Sequence, residues 1–310
     1  MKQRGVALIT AIVLVAIATM LATHVFTRAA LDVRRTAGLL ALEQGWHVAL
    51  GAEAWAAEVL SDDFDNDAEV DHLGEAWAQP LPPLPVDGGE VRGAVEDMQG
   101  RFNLNNLRYG DATRREQNIA RFERLLVFAG ADPRWARIMA DWVDEDTVSG
   151  IPEGAEDGTY LSQNPPYRAA NRAVTTTTEM MALPGMTRDE FERIRPYVAV
   201  LRAGSQINIC TAKAQVLAAL DATSADFGNA EVLAANRKDG CYPTIEVLRG
   251  QLGDEAVDNL EAAEAISENS DWFRVVTAVR IGTSELTLYS LMSRGQDGSS
   301  RTVLRSTGAE

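Results

Sequence analysis

The first hydrophobic feature of the chain is an uncharged run that starts at Val6 and ends at Thr27. Seventeen of its 22 residues are apolar, and as a helix it would span about 33 Å, enough to cross the core of a bilayer. Lys2 and Arg4 precede the run, so we expect the N-terminus to stay in the cytoplasm and the bulk of the chain to lie on the other side. The pattern predicts one membrane-spanning helix.

The helical pattern continues beyond this run. This does not fit a secretory signal peptide, which has a shorter apolar region followed by a cleavage site. A plain membrane anchor remains an adequate alternative. We predict one helix from Val6 to Leu60, with its first half in lipid and its amphipathic second half packed on a soluble domain and available for helix bundling. The apolar residues that recur at helical spacing in the second half are Leu39, Leu42, Trp46, Ala49, Leu50, Trp55, Val59 and Leu60.

Strand patterns flank a helical middle. Glu90–Gln99 alternates between apolar and polar residues, and three further strands are predicted at 272–282, 284–295 and 300–306. This order favours one α/β domain with an inserted helical block over two domains in series. Helices are predicted between the strands at 118–128, 133–143, 178–183, 189–195, 212–220, 245–251 and 254–266.

Charge is distributed unevenly along the 310 residues. The chain has 29 Lys and Arg against 45 Asp and Glu, a formal charge of −16. The first 60 residues hold five basic and four acidic groups, a net +1, so the other 250 carry −17. A body this acidic lacks the basic surface on which nucleic-acid binding depends, and no nucleic-acid partner is expected.

Residues 141–157 form a strongly acidic segment, with seven acids and no Lys or Arg. Crowded carboxylates repel one another unless they are solvated, protonated or bridged by a cation such as Ca²⁺. Composition alone favours a solvated loop here, and a cation site is the alternative. Asp144 and Asp146 alternate, Asp141 lies one helical turn before them, and Glu153, Glu156 and Asp157 follow after a turn at 150–152.

Residues 61–75 also contain seven acids and no Lys or Arg, with Asp63, Asp65 and Asp67 at alternating positions. We interpret this segment first as a solvated linker and second as a cation site. The spacing of acids in neither segment matches that of an EF-hand loop.

The remaining chemistry leaves several functions open. There is no P-loop, dinucleotide fingerprint or nucleophile elbow, although a membrane-anchored periplasmic hydrolase could use the 141–157 carboxylates. A calcium-dependent binding module is another alternative. In an exported body Cys210 and Cys241 would tend to form a disulfide, and two buried free thiols are the other interpretation.

Several stretches together resemble one known family. They are the basic leader MKQRG ending at Gly5, GRFNLNNL at 100–107, ADWVDED at 140–146, GAEDGTYLSQNPPYRAANR at 154–172, LPGM at 183–186 and INICTAKAQVLAAL at 207–220. The chain is similar in these stretches to the general secretion pathway protein K family, the largest minor pseudopilins of type II secretion. It departs from most pilin-like proteins in having Val6 first after the leader and Thr10 in place of a glutamate.

The resemblance implies an α+β, pilin-like fold: a long N-terminal α-helix and an antiparallel β-sheet, with a large inserted α-helical domain. The implied segments are a leader at 1–5, a helix at 6–60 that is transmembrane over 6–27, a pilin-like domain at 61–107 and 268–310, and a helical insertion at 108–267.

The resemblance also implies a function. Such a protein is not an enzyme but a structural subunit that caps the tip of the periplasmic pseudopilus and helps to initiate and limit its assembly. Its implied partners are minor pseudopilins of the I and J types, the major pseudopilin below, and the lipid of the inner membrane before assembly. The prepilin peptidase would cut after Gly5 and methylate Val6, and calcium would be bound by Asp144, Asp146, Glu156 and Asp157, with Glu153 as a further candidate.

Overall fold

The computed structural model describes residues 4–79, 82–220, 227–237 and 240–307. Its helices are α1 Arg4–Asn66, α2 Ala112–Phe128, α3 Trp135–Val143, α4 Asp157–Tyr160, α5 Arg188–Ile194, α6 Ala214–Leu220, α7 Phe227–Ala235, α8 Ile245–Leu252 and α9 Asp254–Ala262. Its strands are β1 Leu84–Val86, β2 Gly89–Asp97, β3 Phe102–Asn103, β4 Val198–Ala199, β5 Ile207–Asn208, β6 Ile266–Ser267, β7 Trp272–Ile281, β8 Ser284–Arg294 and β9 Ser300–Thr307. Short 3-10 helices lie at 76–78, 104–108, 177–182 and 195–197.

The main sheet has five antiparallel strands in the order β1-β2-β7-β8-β9. Strands β2 and β7 are direct neighbours, with Gly89 opposite Ile281 and Asp97 opposite Phe273. Residues 98–271 are therefore inserted between two adjacent strands. The predicted strands are confirmed, whereas the helical insertion leaves and re-enters the sheet about ten and four residues outside the predicted bounds of 108–267. At the N-terminal bound the difference arises because β3, which pairs in parallel with β4, belongs to the insertion together with the 3-10 helix at 104–108.

The C-terminal half of α1 packs on one face of this sheet through small residues. Gly45, Ala49, Glu53, Ala56 and Leu60 are buried and follow one another at intervals of three or four residues, which places them on one side of a helix. A Cβ atom at position 45 would touch the side chains of β7 and β8 at 3.7–3.9 Å. The helix axis thus approaches the sheet closely.

The predicted packing stripe is confirmed for Trp46, Ala49, Leu50, Val59 and Leu60, which pack against the sheet. It is wrong for Leu39, Leu42 and Trp55, which are 68%, 42% and 45% exposed. The sheet covers α1 only from about Gly45 onward, and Trp55 lies at the edge of the covered face, where it lines a groove with Val91 and Val275. The helix also continues to Asn66 rather than ending at Leu60. Its last turn is closed by hydrogen bonds from the Asn66 side-chain amide to the Asp62 carbonyl oxygen at 2.7 Å and from Asp67 N–H to the Asp63 carbonyl oxygen at 3.0 Å.

Side-chain capping explains where some of the other helices begin. Helix α2 starts at Ala112, six residues before its predicted start, because the Asp111 side chain accepts a hydrogen bond from Arg114 N–H at 2.8 Å. Thr244 caps α8 as predicted. Thr211 does not cap α6, which starts at Ala214, because its hydroxyl donates to the Asp97 carboxylate instead.

The helical block emerges at one defined end of the sheet. Leu60, near the C-terminal end of α1, packs with Phe273 at the start of β7, whereas Ala49 packs with Val279 and Ile281 near the end of β7. Since β2 ends and β7 begins beside Leu60, residues 98–271 leave the sheet at the end farthest from the N-terminal half of α1.

Candidate metal centre

The acidic loop after α3 brings three carboxylates together. Asp144 terminates α3, its N–H donating to the Ala140 carbonyl oxygen, and Glu156 lies at the start of the one-turn helix α4. Asp144, Asp146 and Glu156 each place one carboxylate oxygen within 4.8 Å of the others. A single ion could therefore contact all three.

The loop closes through Asp141, one turn before Asp144. The Asp141 Oδ2 atom accepts a hydrogen bond from Gly150 N–H at 3.0 Å, and Gly154 N–H donates to the Gly150 carbonyl oxygen at 2.9 Å. A Cβ atom at position 154 would lie 2.2 Å from Asp141 Oδ2 and 2.4 Å from Gly150 N, so only glycine fits there. These contacts turn the chain back and carry Glu156 to the end of α3.

Buried oxygens in this loop lack hydrogen-bond donors. Asp144 Oδ1, both carboxylate oxygens of Glu156 and the Asn171 Oδ1 atom have no partner among the described residues. Leaving such atoms unsatisfied costs about 1–3 kcal/mol each. Asn171 has a left-handed φ of 46° and donates from its side-chain amide to the Asp146 carbonyl oxygen at 2.8 Å. The donor set of carboxylate and amide oxygens fits a hard cation such as Ca²⁺.

The electrostatics of the loop also favour a cation. Burial, together with repulsion from the neighbouring carboxylates of Asp146, Asp141 and Glu156, raises the pKa of Asp144 to about 7. Burial, followed by repulsion from Asp141, raises the pKa of Glu156. A bound cation would reverse this repulsion and favour the ionised carboxylates.

Two of the predicted ligands lie outside the group of three. Glu153 is exposed, with a φ of 71°. Asp157 accepts a hydrogen bond from Ala169 N–H at 3.1 Å and lies 3.4 Å from the Arg168 guanidinium. Asn171 was missed because it stands 15 residues after Glu156, and only its place in the resembling stretch 154–172 pointed to it.

The N-terminal half of α1 presents its apolar side chains outward. Val6, Leu14 and Phe26 are 64%, 67% and 75% exposed, and α1 is the one described helix long and apolar enough to cross a membrane. The Thr10 hydroxyl donates to the carbonyl oxygens of Val6 and Ala7 at 3.1 and 2.9 Å. Its polar group is thus satisfied within the helix, as hydrocarbon surroundings require.

The predicted disulfide between Cys210 and Cys241 is present, with a Cα–Cα distance of 4.6 Å. It joins the segment before α6 to the segment before α8. A cross-link over 31 residues restricts the unfolded chain and contributes about 3–4 kcal/mol in the loop-entropy treatment. The disulfide therefore fastens the helical block close to its junction with the sheet.

The chain is similar in sequence to known proteins. A family profile described as type II secretion system (T2SS), protein K, matches residues 100–203. The chain is 35% identical to the type II secretion system protein K of Pseudomonas aeruginosa, over 99% of this chain and 93% of the relative. It is 29% identical to the protein of the same name from Aeromonas hydrophila, over 96% and 94%.

A solved structure shares the fold. It is the crystal structure of the GspK-GspI-GspJ complex from the type 2 secretion system of enterotoxigenic Escherichia coli, of which one chain superposes with a TM-score of 0.79. The match has 24% sequence identity and covers 89% of this chain and all of that chain.

A long N-terminal helix on an antiparallel sheet, with a helical block inserted between neighbouring strands, defines a pilin-like fold with an inserted helical domain. The chain belongs to the type II secretion system protein K family. It is a minor pseudopilin of that system and a structural component rather than an enzyme. Neither the membrane-anchored hydrolase nor the free-standing calcium-dependent module is favoured.

The raised pKa of Asp144 predicts how the ion-free protein responds to pH. A carboxyl whose pKa rises from 3.8 to about 7 on folding favours the folded state most at low pH, and this contribution is lost progressively as the pH rises from about 4 to about 7. In EDTA, the melting temperature should therefore fall between about pH 4 and pH 7, and Asp144→Asn should reduce that fall. The matched control is Glu153→Gln, which changes an exposed acid of the same loop and should behave like the wild type. Equal pH profiles for the wild type, Asp144→Asn and Glu153→Gln would contradict the prediction.

Proposed function

We propose that the chain caps the periplasmic tip of the pseudopilus, in a complex with minor pseudopilins of the I and J types and above the major pseudopilin. The support is the position of residues 98–271, which leave the sheet at the end farthest from the N-terminal half of α1. A block of this size at that end would obstruct the addition of another subunit above. The chain would thus start a pseudopilus and not become an internal subunit of it.

The surface for the partner helices is the exposed side of α1 between the lipid-facing run and the sheet. Leu39, Leu40 and Leu42 are 68%, 59% and 42% exposed there, beyond the 6–27 segment and before the part of α1 that the sheet covers. Apolar side chains on one exposed stretch of helix favour packing against other helices.

Co-purification tests the tip complex. The full-length chain in detergent should co-purify with the I- and J-type pseudopilins, and Leu39→Asp combined with Leu42→Asp should reduce recovery of both partners by at least about tenfold, because charges would be buried in an apolar contact. Val127→Asp, at a 58% exposed valine on α2, is the matched control and should retain both partners. Unchanged recovery with the double variant would exclude this surface.

Before assembly, the chain would be a single-pass protein of the inner membrane with its body in the periplasm. The exposed apolar residues of α1 up to Thr27 support the span. The order of Lys2 and Arg4 before the span supports the orientation. The prepilin peptidase would remove residues 1–5 after Gly5 and methylate Val6.

Intact-mass measurement of the chain purified from membranes tests this processing. We expect a mature chain that begins at methylated Val6. A chain that retains Met1, or one that is cleaved after Thr27, would instead indicate a plain anchor or a secretory signal.

Calcium at the acidic loop is the cofactor that we propose. Asp144, Asp146, Glu156 and the Asn171 side-chain oxygen would hold it, and the ion would neutralise carboxylates that otherwise repel one another. Asp141 would keep the loop closed through Gly150 N–H. The role of the ion would be to fix the loop of the helical block that joins α3 to α4.

A further inference from the structure

A second group of acids lies at the C-terminal end of α1, remote in sequence from the loop after α3. Asp63, Asp71 and Glu75 each place one carboxylate oxygen within 4.8 Å of the others. The first interpretation of residues 61–75 as a solvated linker was wrong at these positions. Asp71 is fully buried, while Asp65 and Asp67, on which the alternating pattern rested, are exposed.

The two carboxylate oxygens of Asp71 have different surroundings. Its Oδ2 atom accepts hydrogen bonds from Ser270 N–H at 2.6 Å and from the Arg294 guanidinium. Its Oδ1 atom is buried and has no hydrogen-bond partner among the described residues, and the same holds for Asp63 Oδ2. Two buried anionic oxygens on different residues therefore lack a donor within one cluster.

Among the residues that the structure describes, Arg294 provides the guanidinium in contact with the cluster, and it does not balance the charge of the three carboxylates. Asp63, Asp71 and Glu75 carry three negative charges when ionised, against one positive charge on Arg294. The Arg294 Nη1 atom lies 3.8 Å from Asp63 Oδ2, beyond hydrogen-bond distance. Burial, together with repulsion from Glu75 and Asp71, raises the pKa of Asp63 to about 7. The cluster therefore carries an excess of negative charge that a bound cation could neutralise.

The neighbouring histidine does not supply a nitrogen ligand. His72 Nδ1 accepts a hydrogen bond from Gly74 N–H at 3.0 Å, so the proton of the neutral ring is on Nε2, which lies 3.5 Å from Glu75 Oε1. The donor set consists of carboxylate oxygens, which select hard cations over zinc. Ca²⁺ binds oxygens at about 2.3–2.6 Å, so oxygens up to about 4.8 Å apart can share one ion.

We propose that Asp63, Asp71 and Glu75 form a second calcium site, separate from the loop after α3. An ion there would connect three parts of the pilin-like domain. Asp63 belongs to the last turn of α1, and Glu75 precedes the 3-10 helix at 76–78 and accepts a hydrogen bond from the Trp77 indole N–H at 2.6 Å. Asp71 accepts hydrogen bonds from Ser270 N–H and from the Arg294 guanidinium of β8. The site would fasten the end of α1 to the sheet.

Calorimetric titration of the full-length chain in detergent with calcium chloride tests the proposal. Asp144→Asn with Asp146→Asn should leave one bound ion per chain, and the further changes Asp63→Asn and Glu75→Gln should remove it. Asp65→Asn, at an exposed acid on the same turn of α1, is the matched control and should bind as the wild type does. Calcium binding that is unaffected by Asp63→Asn with Glu75→Gln would overturn the second site, and binding unaffected by Asp144→Asn with Asp146→Asn would separately count against the first.

Thermal unfolding distinguishes a metal site from an ordinary ion pair with Arg294. In EDTA, Asp63→Asn with Glu75→Gln should raise the melting temperature by a few degrees, because the repulsion within the cluster disappears. In calcium, the same variant should lose the part of the stabilisation that this ion provides. A lower melting temperature in EDTA would show that the carboxylates serve Arg294 alone, and would overturn the proposal.

Discussion

One buried carboxylate determines how helix α1 lies on the sheet. Glu53 accepts hydrogen bonds from the Ser290 hydroxyl of β8, from the Thr302 hydroxyl of β9 at 2.8 Å and from two nitrogens of the Arg305 guanidinium at 2.6 and 2.9 Å. Although burial opposes ionisation, these bonds outweigh it and hold the pKa of Glu53 below its ordinary value. The hydrogen bonds of this buried carboxylate form in only one orientation of α1, so they fix the register between helix and sheet. The part of α1 around Glu53 is thus held by the body, and the part before it is free for lipid and partners.

A second buried carboxylate joins the sheet to the helical block. Asp97, the last residue of β2, accepts hydrogen bonds from the Asn208 amide, the Thr211 hydroxyl and the Ser270 hydroxyl. Asn208 also donates to the Asp71 carbonyl oxygen at 3.0 Å. The block is thus anchored where it leaves the sheet, beside the end of α1 and the proposed second calcium site. Such an attachment would suit the proposed role of the block as a cap, because a loosely tethered block would move aside for an incoming subunit.

Sequence patterns predicted the parts of this structure that depend on local periodicity. The strands β7, β8 and β9 are rich in β-forming residues and were placed to within one residue, and the charged leader and uncharged run indicated the span. The bounds of the insertion could not be predicted, because the two-residue strands β3 to β6 are too short to show a period. Pairs such as Glu53 with Arg305 and Asp71 with Arg294 are more than 200 residues apart, and no local pattern marks them. The adjacent acids Asp144 and Asp146 were visible in sequence, whereas Asn171 reaches the same loop only through the tertiary fold.

Hydrogen–deuterium exchange along α1 tests the central claim, that one helix is divided between sheet, partners and lipid. In the full-length chain in detergent, amides of residues 45–60 should be as protected as those of β7 and β8. Amides of residues 28–43 should exchange at least about tenfold faster and should gain protection when the I- and J-type pseudopilins are added. Uniform protection from residue 28 to residue 60 in the isolated chain, or no change on adding the partners, would contradict the account.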